Sequence, residues 1–453
     1  MDNPLGLIKD LLTNPRHSRW IASLLILADA VLCVAVILYV PYTEIDWDAY
    51  MSQVSQFVAG ERQYANIKGG TGPLVYPAMH VYIYRALYAV TDKGRNIRTA
   101  QWIFAGVYLA TLALVMAVYR KAKAPPYLLG LLVLSKRVHS IFLLRLFNDS
   151  FVAFFLWATI YFYQRQFFTV GSFFYSLGVG VKMSMLLPLP AIGIVLLQAL
   201  GRERAITQAL VMAQIQVAIG YPFLVKHTPQ YFERAFDLGR QFLYKWTVNF
   251  RFVSEEVFLS QIFSSALLGA HAWILSVFAT TRWLAPLRTV SGSSVPTTSA
   301  SGGSGSARHE SRKAISSFKA LQIALLDPYA SEGSSGPVPS MASDLVSAAS
   351  ATFIPTAILT ANAVGMLCAR SLHYQFYAWG YWGTPFLLWR AGFPPIGIIA
   401  VWAAQEVAWN IFPSTPVSSA VVVACLAAQV GGVWWGTRKD FFETRREKKV
   451  HGE

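Results

Sequence analysis

Apolar runs of about 17–25 residues, the length that crosses a bilayer, recur along this chain from end to end, beginning with "WIASLLILADAVLCVAVILYVP" at 20–41. Hydrocarbon offers no water to backbone N–H and C=O groups, so a spanning segment must satisfy them as a helix or within a closed barrel. The runs lack the period-two alternation of a barrel strand. Charge agrees with helices in lipid: 13% of the 453 residues are charged and 55% are hydrophobic, too little charge for the surface of a soluble protein of this length. The expected class is an all-α polytopic membrane protein.

Further runs lie near 99–119, 125–135, 149–164, 168–181, 184–200, 205–224, 257–279, 346–368, 376–390, 394–413 and 417–436. Together they predict about twelve transmembrane or re-entrant helices. Lys9, Arg16 and Arg19 precede the first run, and no small-residue cleavage site follows it, so it reads as a retained span. Basic residues favour the cytosolic side. That places the N-terminus there, with Arg120, Lys121, Lys123, Arg202, Arg204, Arg282, Arg288 and the tail "RKDFFETRREKKVHGE". Much of the net charge of +15 thus serves orientation, and no nucleic-acid partner is expected. Cys33, Cys368 and Cys425 lack metal-ligand spacing and read as buried thiols. A phosphate-binding GxxxxGK[ST] loop is missing, which argues against an ATP-driven pump.

The opposite side carries the chemistry. "PYTEIDWDAYMSQV" at 41–54 puts Glu44, Asp46 and Asp48 just outside the first span. Three readings are open. Asp46-Trp47-Asp48 has the Asp-x-Asp pattern that holds a divalent ion on a diphosphate. Thr43 and Asp46 fit a loose capping box. On a helix starting near residue 44, Asp46 shares a face with Ala49, Tyr50 and Gln53, where one carboxylate would serve as a general base at the bilayer surface. The other polar segments on this side are unusually cationic: Lys136, Arg137, His139 and Arg145; Arg234, Arg240, Lys245 and Arg251; Arg370 and His373. Lys182 interrupts an apolar run. Arg and Lys bind phosphate oxygens by charge-assisted hydrogen bonds, and interleaved aromatics suit sugars and lipid headgroups. The plainer reading is snorkelling at the interface; His80 and His227 read as structural.

The blocks "YTEIDWDAYMSQV", "GGTGPLVYPA", "SKRVHSIFLLRLFND", "QFLYKWTVNFRF" and "RSLHYQFYAW" resemble one family, the dolichyl-phosphate-mannose-dependent alpha-1,3-mannosyltransferases of asparagine-linked glycosylation, over about residues 35–435. The resemblance implies a glycosyltransferase C-type fold whose luminal first loop carries the catalytic acid. It implies an endoplasmic reticulum membrane enzyme that moves mannose from dolichyl phosphate mannose to a five-mannose, dolichyl-diphosphate-linked oligosaccharide, with inversion. Phosphate leaves readily, so no metal or other cofactor is expected. On this reading Asp46 is the general base, with Asp48 and Glu44 behind it. Lys182, Arg370, His373 and Arg145 are candidates for the donor phosphate. Arg234, Arg240, Trp246, Asn249 and Arg251 are candidates for the acceptor. Asn148-Asp149-Ser150 is formally a glycosylation sequon, but it opens a span, and Asp149 is available to order the Arg145 loop.

The implied organisation is an N-terminal transmembrane catalytic module at 1–284 with luminal loops 42–98, 135–148 and 225–256. A flexible cytosolic Ser/Gly-rich linker follows at 285–344. Residues 345–436 form C-terminal transmembrane helices with a luminal segment at 369–376, and 437–453 a basic cytosolic tail. The rival class is a lipid-linked oligosaccharide transporter or scramblase, which would also need many spans and cationic cavities. Against it stand the clustering of the acids outside the membrane and the lack of a convincing internal repeat.

Overall fold

The computed structural model describes residues 4–237, 239, 243–284 and 340–440. The described residues are almost wholly helical, apart from an antiparallel hairpin of two-residue strands, Lys68–Gly69 and Gly72–Pro73. Most of the 285–344 segment and the 437–453 tail, and with them Arg240, lie outside the described residues.

Six described helices are long and apolar enough to cross a membrane: Pro15–Tyr39, Ile97–Lys121, Leu189–Ala235, Gln261–Trp283, Ala351–Cys368 and Pro416–Gly436. A seventh span arises if Lys136–Leu144 and Asp149–Gln164, bent by 113° to one another, count as one. Counting apolar runs predicts more because several runs are broken. Pro125 and Pro126 leave only the four-residue helix Tyr127–Gly130 in the run at 125–135. The run at 376–390 divides into Tyr377–Gly380, Tyr381–Gly383 and Thr384–Arg390 around Gly380, Gly383 and Pro385. Phe168–Val181 has 14 residues, short of the roughly 20 a span needs. Conversely, Leu189–Ala235 runs for 47 residues, about 70 Å if straight, more than twice a bilayer core. It breaks at Gly201, whose φ of +76° is a conformation glycine adopts without a Cβ penalty. That break separates the two runs expected at 184–200 and 205–224.

Ala351–Cys368 is buried along most of its length, whereas Gln261–Trp283 faces outward. Asp149–Gln164 packs between Phe168–Val181 and Ile97–Lys121. Between these helices runs one large core that includes Tyr119, Trp157, Trp382 and Phe386. In lipid such packing rests on van der Waals contact and on polar groups finding partners across helices. Tyr119 and Tyr381 hydroxyls accordingly donate to the carbonyls of Trp382 (2.7 Å) and Leu131 (2.5 Å).

The first span hands the chain to Thr43, whose N–H donates to the Leu144 carbonyl (2.9 Å). The helix Trp47–Val58 follows. Trp47 is fully buried and its Nε1–H donates to the Gly94 carbonyl (2.9 Å). Trp47, Tyr50, Met51 and Val54 pack with Tyr84, Leu87, Phe104 and Leu146 into a second core. The hairpin docks on the same helix. A Cβ at Gly69 would lie 2.6 Å from the Ala49 carbonyl oxygen, so only glycine permits this approach.

Candidate active site

Asp46 stands at the N-cap position of Trp47–Val58, yet its side chain caps nothing. The capping box read from Thr43 and Asp46 does not form. Glu44 takes the orphan backbone donor instead, accepting from the Asp48 N–H at 3.1 Å. Asp46 is half-buried, while Glu44 and Asp48 are exposed. Asp46 and Asp48 join no cluster of three metal-ligating side chains among the described residues. The shared face expected for the helix is present. Ala49 meets Gly69, and Gln53 donates to the Gly72 carbonyl (3.2 Å). Tyr50 lies under Asp46, its hydroxyl 3.4 Å from Oδ2.

Burial lifts the Asp46 carboxyl above its ordinary range, and the negative charge of Asp149 adds to the lift. Hydrogen bonds from Thr71 and Tyr50 and the positive Lys182 pull the other way without cancelling it. Thr71 is the tip of the "GGTGP" hairpin, so the close approach at Gly69 delivers this hydroxyl. A carboxylate whose basicity is raised by its surroundings is a better proton acceptor near neutral pH.

Beside Asp46 lies a buried charge pair. Lys182 ends the helix Phe168–Val181 in an extended conformation, which turns its side chain inward. Its Nζ donates to both oxygens of Asp149 (2.9 and 3.0 Å) and lies 3.5 Å from Asn148 Oδ1. Asp149 also accepts from Trp379 Nε1 at 2.6 Å. The ammonium faces the rings of Phe376, Trp379 and Tyr76 at 4.7, 5.4 and 5.5 Å. Asp149 therefore pairs with Lys182, not with the Arg145 loop. Asn148 is fully buried, which excludes the sequon from modification in the folded protein.

His80, read from sequence as structural, is part of this site. Its ring packs edge-on to Tyr50 and tilted against Tyr76 and Tyr84, at 4.5–4.8 Å. Asn148 Nδ2 lies 3.3 Å from its Nδ1, and its Nε2 is buried with no hydrogen-bond partner among the described residues. Burial, with a smaller push from Lys182, drives its pKa down to about 3, so the ring is neutral. A histidine amid "YPAMHVYIY" has no sequence signal beyond its aromatic neighbours.

The other candidates divide. His373 stacks on Phe376 (5.3 Å, 10°) and so borders the Lys182 cage. Arg145 neighbours Arg137, and Arg370 lies over Phe258 at 5.9 Å. Arg251 lies over Tyr244 (4.2 Å) and donates to its carbonyl (3.0 Å). Trp246 is partly exposed, stacked with Phe412 (6.3 Å, 12°). Arg234 sits in the last turn of Leu189–Ala235. Asn249 is fully buried; its Oδ1 accepts from the Leu372 N–H (2.7 Å) and the Thr247 hydroxyl (2.8 Å), and its Nδ2 donates to the Ala369 carbonyl (2.7 Å). In this structure Asn249 ties 247–250 to 369–372.

A second polar network was invisible in the apolar runs. Asp29, in the first span, accepts from the Tyr108 hydroxyl (2.6 Å) and pairs with His139 Nε2 (2.8 Å). His139 Nδ1 meets the Ser135 carbonyl (2.6 Å), and the Ser135 hydroxyl donates to Glu406 (2.8 Å). Cys33 lies beside Asp29 and His139, and the three ligating atoms fall within 4.8 Å of one another. These carboxylates link the span that leads to Asp46 with the segment that leads to Asp149.

Residues 23–419 match the family described as ALG3 protein. The chain is 50% identical over 433 residues to the Dol-P-Man:Man(5)GlcNAc(2)-PP-Dol alpha-1,3-mannosyltransferase of Neurospora crassa, covering 94% of this chain and 90% of that protein. It is 38% identical over 446 residues to the Homo sapiens protein of the same name, covering 97% and 92%. The Arabidopsis thaliana protein of that name is 38% identical over 429 residues, covering 94% and 90%. No solved structure matches the chain significantly. With a family match over most of its length and relatives aligned almost end to end, the chain belongs to the ALG3 protein family.

Proposed function

We propose that this chain is an inverting alpha-1,3-mannosyltransferase of the endoplasmic reticulum membrane. It moves mannose from dolichyl phosphate mannose to the five-mannose, dolichyl-diphosphate-linked oligosaccharide, in keeping with the names of its relatives. The observation that carries the mechanism is the half-buried Asp46, raised in basicity and set beside the Lys182–Asp149 pair. Asp46 accepts the proton of the acceptor hydroxyl. The hydroxyl oxygen forms its bond to mannose C1 as the bond from C1 to the phosphate oxygen breaks, and that electron pair leaves with dolichyl phosphate. One in-line displacement inverts C1 without a covalent enzyme intermediate, and a phosphate leaving group requires no metal.

In this reading Lys182, with His373 on the adjoining Phe376, fixes the donor end of the pocket, and Arg145 and Arg370 extend the positive surface for the phosphate. Arg234 and Trp246 are the candidates for the acceptor, together with Arg240, which the sequence alone nominates. The arrangement is of glycosyltransferase C type, with some of the about twelve apolar segments entering the bilayer as short or broken helices. The Asp46 loop is luminal and both termini are cytosolic. The test is mannose transfer by purified Asp46→Asn protein beside wild type, each with and without a chelator. Loss of transfer in a folded variant that still binds both substrates supports the base. Full activity in the variant, or a chelator-sensitive wild type, rejects this mechanism.

A further inference from the structure

The charge of Lys182 is balanced on the spot by Asp149, at 2.9 Å. A second set of cations has no acid in direct contact, and of the carboxylates only Glu406 draws on Arg137, from a distance. Arg137 lies over the Tyr374 ring at 4.9 Å, and Arg145 is close enough to repel it. Tyr374 also feels the charge of Arg251. None of these three arginines forms an ion pair among the described residues; the five pairs there are Asp10–His17, Asp92–Arg95, Asp29–His139, Asp149–Lys182 and Asp440–Arg390. Glu406 is near but occupied. Its Oε2 accepts from the Ser135 and Tyr377 hydroxyls (2.8 Å each) and its Oε1 from Asn410 Nδ2 (2.9 Å). From Arg137 it takes only the backbone N–H, at 3.4 Å. The Nε atoms of Arg137 and Arg251 are buried with no hydrogen-bond partner among the described residues.

Guanidinium donors withdrawn from water without an acceptor are costly, and like charges gathered around one ring add to the cost. Both are relieved by an anion that offers several oxygens to planar forks. We propose that Arg137 and Arg251, which both act on Tyr374, form a phosphate subsite with Arg145 beside Arg137, and that it takes the phosphate of the lipid-linked sugar donor. This rests on the transferase reading above. Tyr374 begins the segment whose Phe376 and Trp379 face Lys182, so the subsite adjoins the pocket where the leaving phosphate must lie. In the acceptor two N-acetylglucosamines separate the mannoses from the diphosphate, which keeps that diphosphate away from the reacting hydroxyl. Glu406 accepts the Arg137 backbone N–H and attracts its guanidinium without pairing with it.

The experiment uses the purified full chain in detergent, with Arg137→Gln, Arg137→Lys, Arg251→Gln and, as a control away from the site, Arg120→Gln. Short-chain dolichyl phosphate is the binding probe, read by thermal shift, and KM is measured separately for donor and acceptor. The glutamine variants are expected to lose the shift and to raise donor KM at least about tenfold, with acceptor KM within about twofold. Arg137→Lys keeps the charge but not the fork and should fall between. If Arg137→Gln does not fold, Arg251→Gln, on a different loop, and Arg137→Lys carry the test. A rise in acceptor KM alone would overturn the donor assignment, and unchanged KM values with an intact shift would overturn the subsite. A wild type that binds dolichyl phosphate through these arginines but transfers no mannose would leave the subsite standing and reject the transferase reading.

Discussion

The Lys182–Asp149 pair gives the sharpest energetic prediction. The side chains are 11% and 0% exposed, so neither charge is screened by water. Removing one partner of such a pair leaves the other uncompensated and costs roughly 3–5 kcal/mol. Lys182→Met should approach that range, because Asp149 keeps only the Trp379 donor. Asp149→Asn should cost less, about 2–3 kcal/mol, since three aromatic faces still surround the ammonium and a cation–π contact is worth roughly 0.5–2 kcal/mol when desolvated. The double variant Lys182→Met/Asp149→Asn buries no charge and keeps an acceptor for Trp379. It should cost about 1 kcal/mol, the scale of a repacked polar core site. The singles then sum to at least about 5 kcal/mol against about 1 for the double, a coupling of about 4 kcal/mol. The assay is the apparent unfolding midpoint of detergent-solubilised protein at one fixed scan rate, because such unfolding is often irreversible. In a chain of this length each kcal/mol moves the midpoint by roughly 1–2 °C, so Lys182→Met should melt several degrees lower and the double variant within about 2 °C of wild type. Additive losses, within about 0.5 kcal/mol, would refute the pair.

Asp46→Asn should cut transfer by roughly 10²–10⁴, the usual worth of a positioned base, without lowering the unfolding midpoint. The sign follows from the raised carboxyl: a group whose folded pKa exceeds its unfolded value loses stability as it ionises with rising pH, so neutralising it removes a cost. The transfer rate should fall as pH drops through the Asp46 pKa, which burial sets above the ordinary value of about 3.9; a rate flat down to pH 4 would contradict this assignment. Gly69→Ala forces a methyl against the Ala49 carbonyl at 2.6 Å, so it should lift the hairpin and withdraw Thr71 from Asp46. Transfer should drop while the detergent-solubilised fold persists, and unaltered kinetics would show that the hairpin is dispensable. Asp29→Leu leaves the buried His139 without its carboxylate and should destabilise by roughly 3 kcal/mol or more, restored in large part by adding His139→Leu; a single variant as stable as wild type would exclude the pair.

Length and polarity of a segment are local properties, and they carried the class and the first span. Run-counting does not separate full spans from short or broken helices, because a proline or glycine inside a run, as at Pro125, Gly380 or Pro385, interrupts a helix without changing hydropathy. Charge partners were another matter. Lys182 was legible as an oddity in an apolar run, but its acid lies 33 residues away in sequence, and nothing in either segment names the other. Arg137 was legible only as one cation in a basic segment, and His80 and Asp29 carry no signal of their own. What decides between a snorkelling cation, a neutralised one and one left to meet a phosphate is which groups share its desolvated space. That is set only when the helices pack, because the cost of burying a charge depends on every neighbour within a few ångströms and not on its place along the chain.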